Sequence, residues 1–258
     1  MLNSHKATRQ HPCVKHLNKA IVIISMALVY GGLYSSSVSA GNFTVTPVRI
    51  YMAPRDRATA ITITNEGDEE LVMQADLYEW KQKPGGEDDL TLTEDMFLSP
   101  PIIKMAPKSR QVVRLARLIP VQSTRQITYR MIVREIPEAK PAKDLEVQIA
   151  LAFNMPVFIT PPGAKAKLGC TVERVTANSI NAVCENTGSA YSHPVAIVLN
   201  NTAGEKIAAN ESGGYLLPDI KRSFSIKREG SAIPAGAATL AVTLDDGTTE
   251  TYAVAIAE

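Results

Sequence analysis

The sequence predicts an all-β protein made of two sandwich domains. Three observations carry this. Short segments rich in Val, Ile, Thr and Tyr recur throughout residues 43–256. Clusters of Gly, Pro, Asn, Asp and Lys separate them, as in NEGDEE, KPGGEDD, MAPKSR and PEAKPAKD. The pattern then restarts after the Pro-Pro-Gly at 161–163. About six or seven short strands per hundred residues is the density of an immunoglobulin-like sandwich, here used twice. The expected division is a first domain over 41–160 and a second over 161–258, with Pro161 and Pro162 as the hinge.

The first 40 residues are set apart as a cleavable signal peptide. Residues 1–19 carry Lys6, Arg9, Lys15 and Lys19 and no acidic residue, and an apolar run over 20–34 follows. That run is shorter than the roughly 20 residues needed to span a bilayer. SSSVSA then ends on Ala40, a small-residue cleavage pattern that places the mature start at Gly41. The alternative is an uncleaved anchor. Removing four of the 27 basic and none of the 26 acidic residues leaves 23 against 26, a balance of −3. A weakly acidic exported protein has no electrostatic reason to seek nucleic acid. No later apolar stretch suggests membrane insertion of the mature chain.

The strands of the first domain are expected in FTVTPVRIYM, ATAITITN, LVMQADLYEW, QVVRLARLI, QITYRMIVREI and LEVQIALAFNMPVFIT. The last of these stands apart. Leu145, Val147, Ile149, Leu151, Phe153, Met155, Val157 and Ile159 are large and apolar at strict period two. Fifteen residues far exceed the usual strand length of about five or six. One reading buries the whole row in the domain's own core. The other leaves part of it on an edge, which ordinary proteins avoid because an open edge recruits other strands. An edge kept this apolar is a candidate binding surface.

The second domain is expected to place strands in KLGCTVERV, SINAVCEN, HPVAIVLN, SFSIKRE, ATLAVTLD and TYAVAIAE. Cys13 leaves with the signal, so Cys170 and Cys184 remain as an even pair. In an oxidising compartment this pair is expected as a disulfide, with two free thiols as the alternative.

Little else in the sequence carries chemistry. His193, in a turn entering a strand, is the only histidine of the mature chain and is expected at the surface. It is the sole candidate base and no Ser-His-Asp arrangement is offered around it, and a single histidine argues against a metal site. No phosphate-binding Gly-rich loop and no G-x-S-x-G elbow occurs, so no cofactor and no enzyme activity are expected. Carboxylate clusters such as Glu87-Asp88-Asp89 and Asp245-Asp246 fall in turns and read as solvated loop ends. Trp80, the single tryptophan, ends an apolar strand and is expected in a core.

VTPVRIYM, ITITN, SPPIIKMAPKSRQVVRL, YRMIVREIP and VQIAL occur in one order over about a hundred residues. Together they resemble the first domain of the PapD-like periplasmic chaperones of the chaperone–usher pathway. REIP at 134–137 followed by the long alternating strand is the most specific part. The likeness continues more weakly through ENTGSAYSHPVAIVL and YLLPDIKRSFSI, and its details resemble the archaic, Csu-type branch.

The resemblance implies two immunoglobulin-like domains in a boomerang arrangement, a periplasmic location, and pilus subunits and an outer-membrane usher as partners. It implies that the long strand fills the gap in an incomplete subunit, with Val147, Ile149, Leu151 and Phe153 as the inserted row. It also implies basic residues that hold the subunit's C-terminal carboxylate. Arg49 matches the first, where an unrelated protein would show a solvent-facing arginine. The second, usually a lysine on the long strand, is replaced by Pro156. Arg130 is the candidate substitute, because Met131 and Val133 take the core-facing parity beside it. Thr160 stands where an interdomain arginine is usual, with Glu135 and Asp246 at the acidic positions. A structural pilus subunit or adhesin is the alternative reading. It should carry an N-terminal donor extension, for which the expected start leaves no room.

Overall fold

The computed structural model describes residues 43–120, 122–136 and 150–258. Every regular element among them is a β-strand. The expected signal peptide, Leu145, Val147 and Ile149 all lie outside the described residues.

The predicted opening strand is two strands. β1 (Phe43–Thr46) pairs with β3 (Ala58–Asn65), whereas β2 (Ile50–Met52) runs parallel to β10 (Ala152–Ile159) in the other sheet. Pro47 lies between them and has no N–H to continue a ladder, so the chain changes sheets there. The first sheet then adds β8 (Arg110–Arg117) and β6 (Met96–Ser99) to β1 and β3. The second runs β2, β10, β9 (Ile127–Glu135), β4 (Leu71–Gln82) and β5 (Asp88–Leu92), with β7 (Ile102–Met105) also on β4. Ile61, Ile63, Met73, Leu115, Met131 and Val133 are fully buried between the sheets. They are alternate residues of facing strands, the packing a sandwich requires.

Sequence patterning missed β5, β6 and β7. β5 is exposed along nearly its whole length, so it carries no apolar alternation. Its register across the Lys83–Glu87 turn from β4 comes from the hairpin rather than from burial.

The other sandwich runs in the order β11 (Leu168–Thr176), β12 (Ser179–Asn186), β15 (Lys221–Lys227), β14 (Lys206–Asn210), β13 (Pro194–Asn200), β16 (Gly236–Leu244) and β17 (Thr249–Ile256). β14 and β15 meet at one pair, Ala209 with Lys227, and the sheet folds over at that seam. Ile180, Leu199, Phe224, Ile226, Leu240 and Val242 fill the resulting core. Cys170 and Cys184 stand directly opposite each other on β11 and β12 and form the expected disulfide.

The two cysteines are 14 residues apart in sequence. Closing so short a loop stabilises by about 3 kcal/mol in the chain-entropy view. Reduction should therefore lower the urea midpoint of the second sandwich's unfolding. Cys170→Ala/Cys184→Ala should reproduce that loss and be insensitive to reductant.

Candidate functional site

β10 has two different ends. From Val157 to Ile159 it is held by β9 on one side and β2 on the other. From Ala152 to Pro156 only β9 pairs with it among the described residues. Among the described residues, one edge of this stretch is thus open. Pro156 suits such a position, because it has no N–H to offer a neighbour.

The odd-numbered row begins inside the first sandwich. Met155, Val157 and Ile159 are buried in its core, and Leu151 and Phe153 pack half-buried against it. The Phe153 ring lies 4.9 Å from that of Phe43 on β1. Leu151 continues the ladder beyond the strand, its carbonyl accepting from the Glu135 N–H at 2.9 Å. Of the expected inserted row, Leu151 and Phe153 are therefore placed at the margin of the core, next to the open edge.

Of the even-numbered row, Ala152 and Asn154 are exposed and Phe158 faces the second sandwich. Phe158 is fully buried with Trp80 and Leu217. Its ring stacks on Tyr191 at 4.1 Å, and Tyr215 closes the cluster at 6.0 Å from Phe158. Trp80 is buried as expected, though in this junction between sandwiches rather than in a sandwich core. β10 is thus buried on both faces at its C-terminal end.

Arg130 faces Pro156 directly across the β9–β10 ladder. It points away from the core, as the parity of Met131 and Val133 predicts. Its guanidinium lies 3.6 Å from the centre of the Trp80 ring and 5.3 Å from that of Tyr215. It pairs with Asp88 at 3.1 Å, with 9% of its side chain exposed. Burial pulls its pKa down, while the charge and hydrogen bond of Asp88 oppose that pull. Arginine nevertheless stays a cation at any physiological pH. Cation–π contact and one carboxylate compensate what would otherwise be a costly buried charge.

Arg49 is more open, with 35% of its side chain exposed. Its Nη1 pairs with Asp245 Oδ2. The Tyr51 and Tyr191 hydroxyls are 2.7 Å apart, and Tyr191 donates to the same Asp245 oxygen at 3.3 Å. Burial works against the charge on Arg49, but hydrogen bonding to Tyr51 and the neighbouring groups, Asp245 among them, raise its pKa overall. Burial likewise pushes the Tyr191 phenol up, so it remains a donor. A cleft of about 560 Å³ opens beside them, lined by Tyr51, Gln126, Thr160, Ser192, His193 and Asp245.

His193 is not the surface residue expected from its turn. Its side chain is 18% exposed, and its ring stacks on Tyr215 at 3.9 Å. Nδ1 lies 3.4 Å from Asp245 Oδ2 yet outside hydrogen-bonding geometry. Burial lowers its pKa first of all, Asp245 opposes this, and Arg49 and Arg130 lower it further.

Two glutamines that sequence reading passed over join the sandwiches. Gln82 accepts from the Leu217 N–H at 2.9 Å and donates to the Tyr215 carbonyl at 3.1 Å. Gln126 accepts from the Tyr191 N–H at 2.9 Å and donates to Thr160 Oγ1 at 2.8 Å. The acidic positions expected at this tie are corrected. Asp246 bonds Thr248 within its own turn, and Asp245 is the residue that reaches Arg49. Glu135 sits at the far end of β9, beside Leu151. No sequence pattern marks a glutamine whose amide accepts from another domain's main chain.

Residues 42–165 match the family described as pili and flagellar-assembly chaperone, PapD N-terminal domain. No curated protein matches the chain in sequence. Solved structures of similar fold include the CsuC-CsuE chaperone-tip adhesion subunit pre-assembly complex from archaic chaperone-usher Csu pili of Acinetobacter baumannii. That match has 19% identity and a TM-score of 0.61 over 84% of this chain and 100% of that one. The CupB2 chaperone of Pseudomonas aeruginosa matches at 16% identity and TM-score 0.54, covering 82% and 100%. The Salmonella enterica SafA pilin in complex with the SafB chaperone matches at 14% and 0.54, covering 85% and 98%. These likenesses establish the fold: two immunoglobulin-like β-sandwiches.

Two outcomes follow for the junction. Phe158→Ala should destabilise the protein by about 3–5 kcal/mol, the usual cost of removing a buried phenylalanine. Since Trp80 is the sole tryptophan, its emission should shift red in this variant. Separately, stability should fall as the pH drops below about 6.5, the ordinary histidine value. The unfolded chain binds the proton that folded His193 resists, so stability is complete above that pH and declines below it. Urea unfolding between pH 7.5 and 5.5 should show this slope, and His193→Gln should flatten it.

Proposed function

We propose that this chain is a periplasmic chaperone for pilus subunits, of the PapD-like family and its archaic, Csu-type branch. The observation that carries the reading is the half-open β10. Its apolar row starts in the core of the first sandwich and continues in sequence through Leu151, Ile149 and Val147. An unfinished subunit sandwich needs a strand of that kind. Strand addition supplies main-chain hydrogen bonds for affinity and alternate side chains for selectivity. Each large apolar side chain buried in the subunit adds about 1.5–3 kcal/mol.

Val147, Ile149 and Leu151 form the inserted row, and Phe153, seated on Phe43, marks where that row enters the chaperone's own core. Arg49 receives the subunit's C-terminal carboxylate, since it is the more open arginine and is flanked by two phenolic donors. Arg130 adds a second positive charge through its field, from the ladder position opposite Pro156. The chaperone then passes the subunit to an outer-membrane usher. The mechanism has no catalytic step and needs no cofactor.

Affinity capture of the tagged protein from the periplasm should recover a pilus subunit. Ile149→Asp or Leu151→Asp should cut the recovered subunit at least tenfold, since each buries a charge in the shared core. Recovery undiminished in both variants refutes strand lending. Arg49→Ala should abolish capture. Arg130→Ala should weaken it less, and full capture in that variant removes Arg130 from the carboxylate site.

A further inference from the structure

Arg49 is already occupied in the free protein. Asp245, from the turn between β16 and β17, lies on its guanidinium, and the Tyr191 hydroxyl donates to the same carboxylate oxygen. A guanidinium with a neighbouring hydroxyl donor is also what an incoming main-chain carboxylate requires. We propose that Asp245 is a resident carboxylate which the client's C-terminal carboxylate displaces from Arg49, and that His193 takes up a proton as Asp245 is released to it. The proposal rests on the reading that the protein captures a subunit through Arg49.

The surroundings dictate the second half. The Asp245 side chain is only 12% exposed, so once off Arg49 it is a largely buried charge in need of a partner. Beside the Tyr191 hydroxyl, which already donates to it, the neighbour that can supply a positive charge is His193, whose Nδ1 is 3.4 Å away and has no hydrogen-bond partner among the described residues. Stacking on Tyr215 fixes the imidazole plane and keeps Nδ1 beside that carboxylate. The charged or titratable groups facing His193 are Asp245, Tyr215, Arg49 from the segment before β2, and Arg130 from β9. In the free protein both arginines disfavour the imidazolium, and Arg49 engages the charge of Asp245. A client carboxylate neutralises Arg49 and frees Asp245. Both changes favour a proton, taken from solvent, on Nδ1.

Capture coupled to proton uptake must strengthen as pH falls, by up to about tenfold per pH unit for one proton. The subunit recovered with the tagged protein serves as the probe. It is diluted from urea into wild type, His193→Gln and Asp245→Asn between pH 8 and 5.5, and the affinity is measured. The expected result is tighter wild-type capture at low pH, a flat profile in His193→Gln, and tighter capture at pH 8 in Asp245→Asn. Wild-type capture that is pH-independent, or whose pH slope survives in His193→Gln, overturns the proposal while leaving the chaperone reading intact. Absence of capture by wild type at every pH instead overturns the chaperone reading. Should Asp245→Asn fail to fold, the His193→Gln profile decides alone.

Discussion

The structure depends on β10 being buried twice at one end. Val157 and Ile159 enter the core of the first sandwich, while Phe158 between them enters the junction with the second. A strand anchored on both faces and on both edges over three residues cannot slip by one position. Slippage would exchange the two rows and place Phe158 in the wrong core. The neighbouring stretch from Ala152 to Pro156 can leave one edge open because its register is already set downstream. An exposed edge is usually a liability. Here it is confined to a stretch whose orientation is fixed, and a fixed edge is a template for one partner register rather than for indiscriminate pairing.

The junction solves a polar problem with few charges. Ion pairs taken out of water repay their desolvation only with good geometry and further hydrogen bonds. Gln82 and Gln126 avoid that cost. Each neutral amide satisfies a main-chain N–H of the second sandwich and donates from its other end, so both ends of each amide are used. Thr160 matters through its hydroxyl, which accepts from Gln126 where an arginine was the usual expectation. Among the described residues, the one deeply buried cation, Arg130, lies over Trp80 and is paired with Asp88. Aromatic faces therefore do part of the work that a second carboxylate would otherwise do.

How much of this was legible in the sequence follows from the range of each signal. Period-two patterning read the longer core strands, because burial on one face imposes it, and passed over the four-residue core strands β6 and β7, where two buried residues make too short an alternation. It failed for β5, which is held by a hairpin and exposed on both faces. It also merged β1 and β2, since apolar alternation does not reveal which sheet a residue joins. The parity argument put Arg130 on the correct face. It could not show that Tyr215, 85 residues further on, would cover it. His193 and Asp245 were misjudged for the same reason. A turn is normally solvated, but Asp245 is covered by Arg49 of the other sandwich and His193 by Tyr215 within its own, contacts that no local pattern encodes. Val147 and Ile149, read from the same alternation, lie outside the described residues.

For the proposed carboxylate capture, the two arginines differ in a way that bears on how tightly such a group could be held. Arg130 is paired, stacked and almost covered, so its charge acts at a distance and is reduced by Asp88. Arg49 keeps a third of its side chain in contact with solvent, and its partner Asp245 comes from the other sandwich. An arginine left bare at this position would bind any passing anion and would leave the domains without this contact. An arginine sealed like Arg130 would bind nothing. Pairing Arg49 with a carboxylate that has a neutral imidazole beside it sits between these limits. The ion pair contributes to the junction, and its Coulomb energy is the quantity an arriving carboxylate must match rather than exceed. Exchange of like for like costs little when the displaced group has somewhere to go, and the unpartnered Nδ1 of His193 is that place.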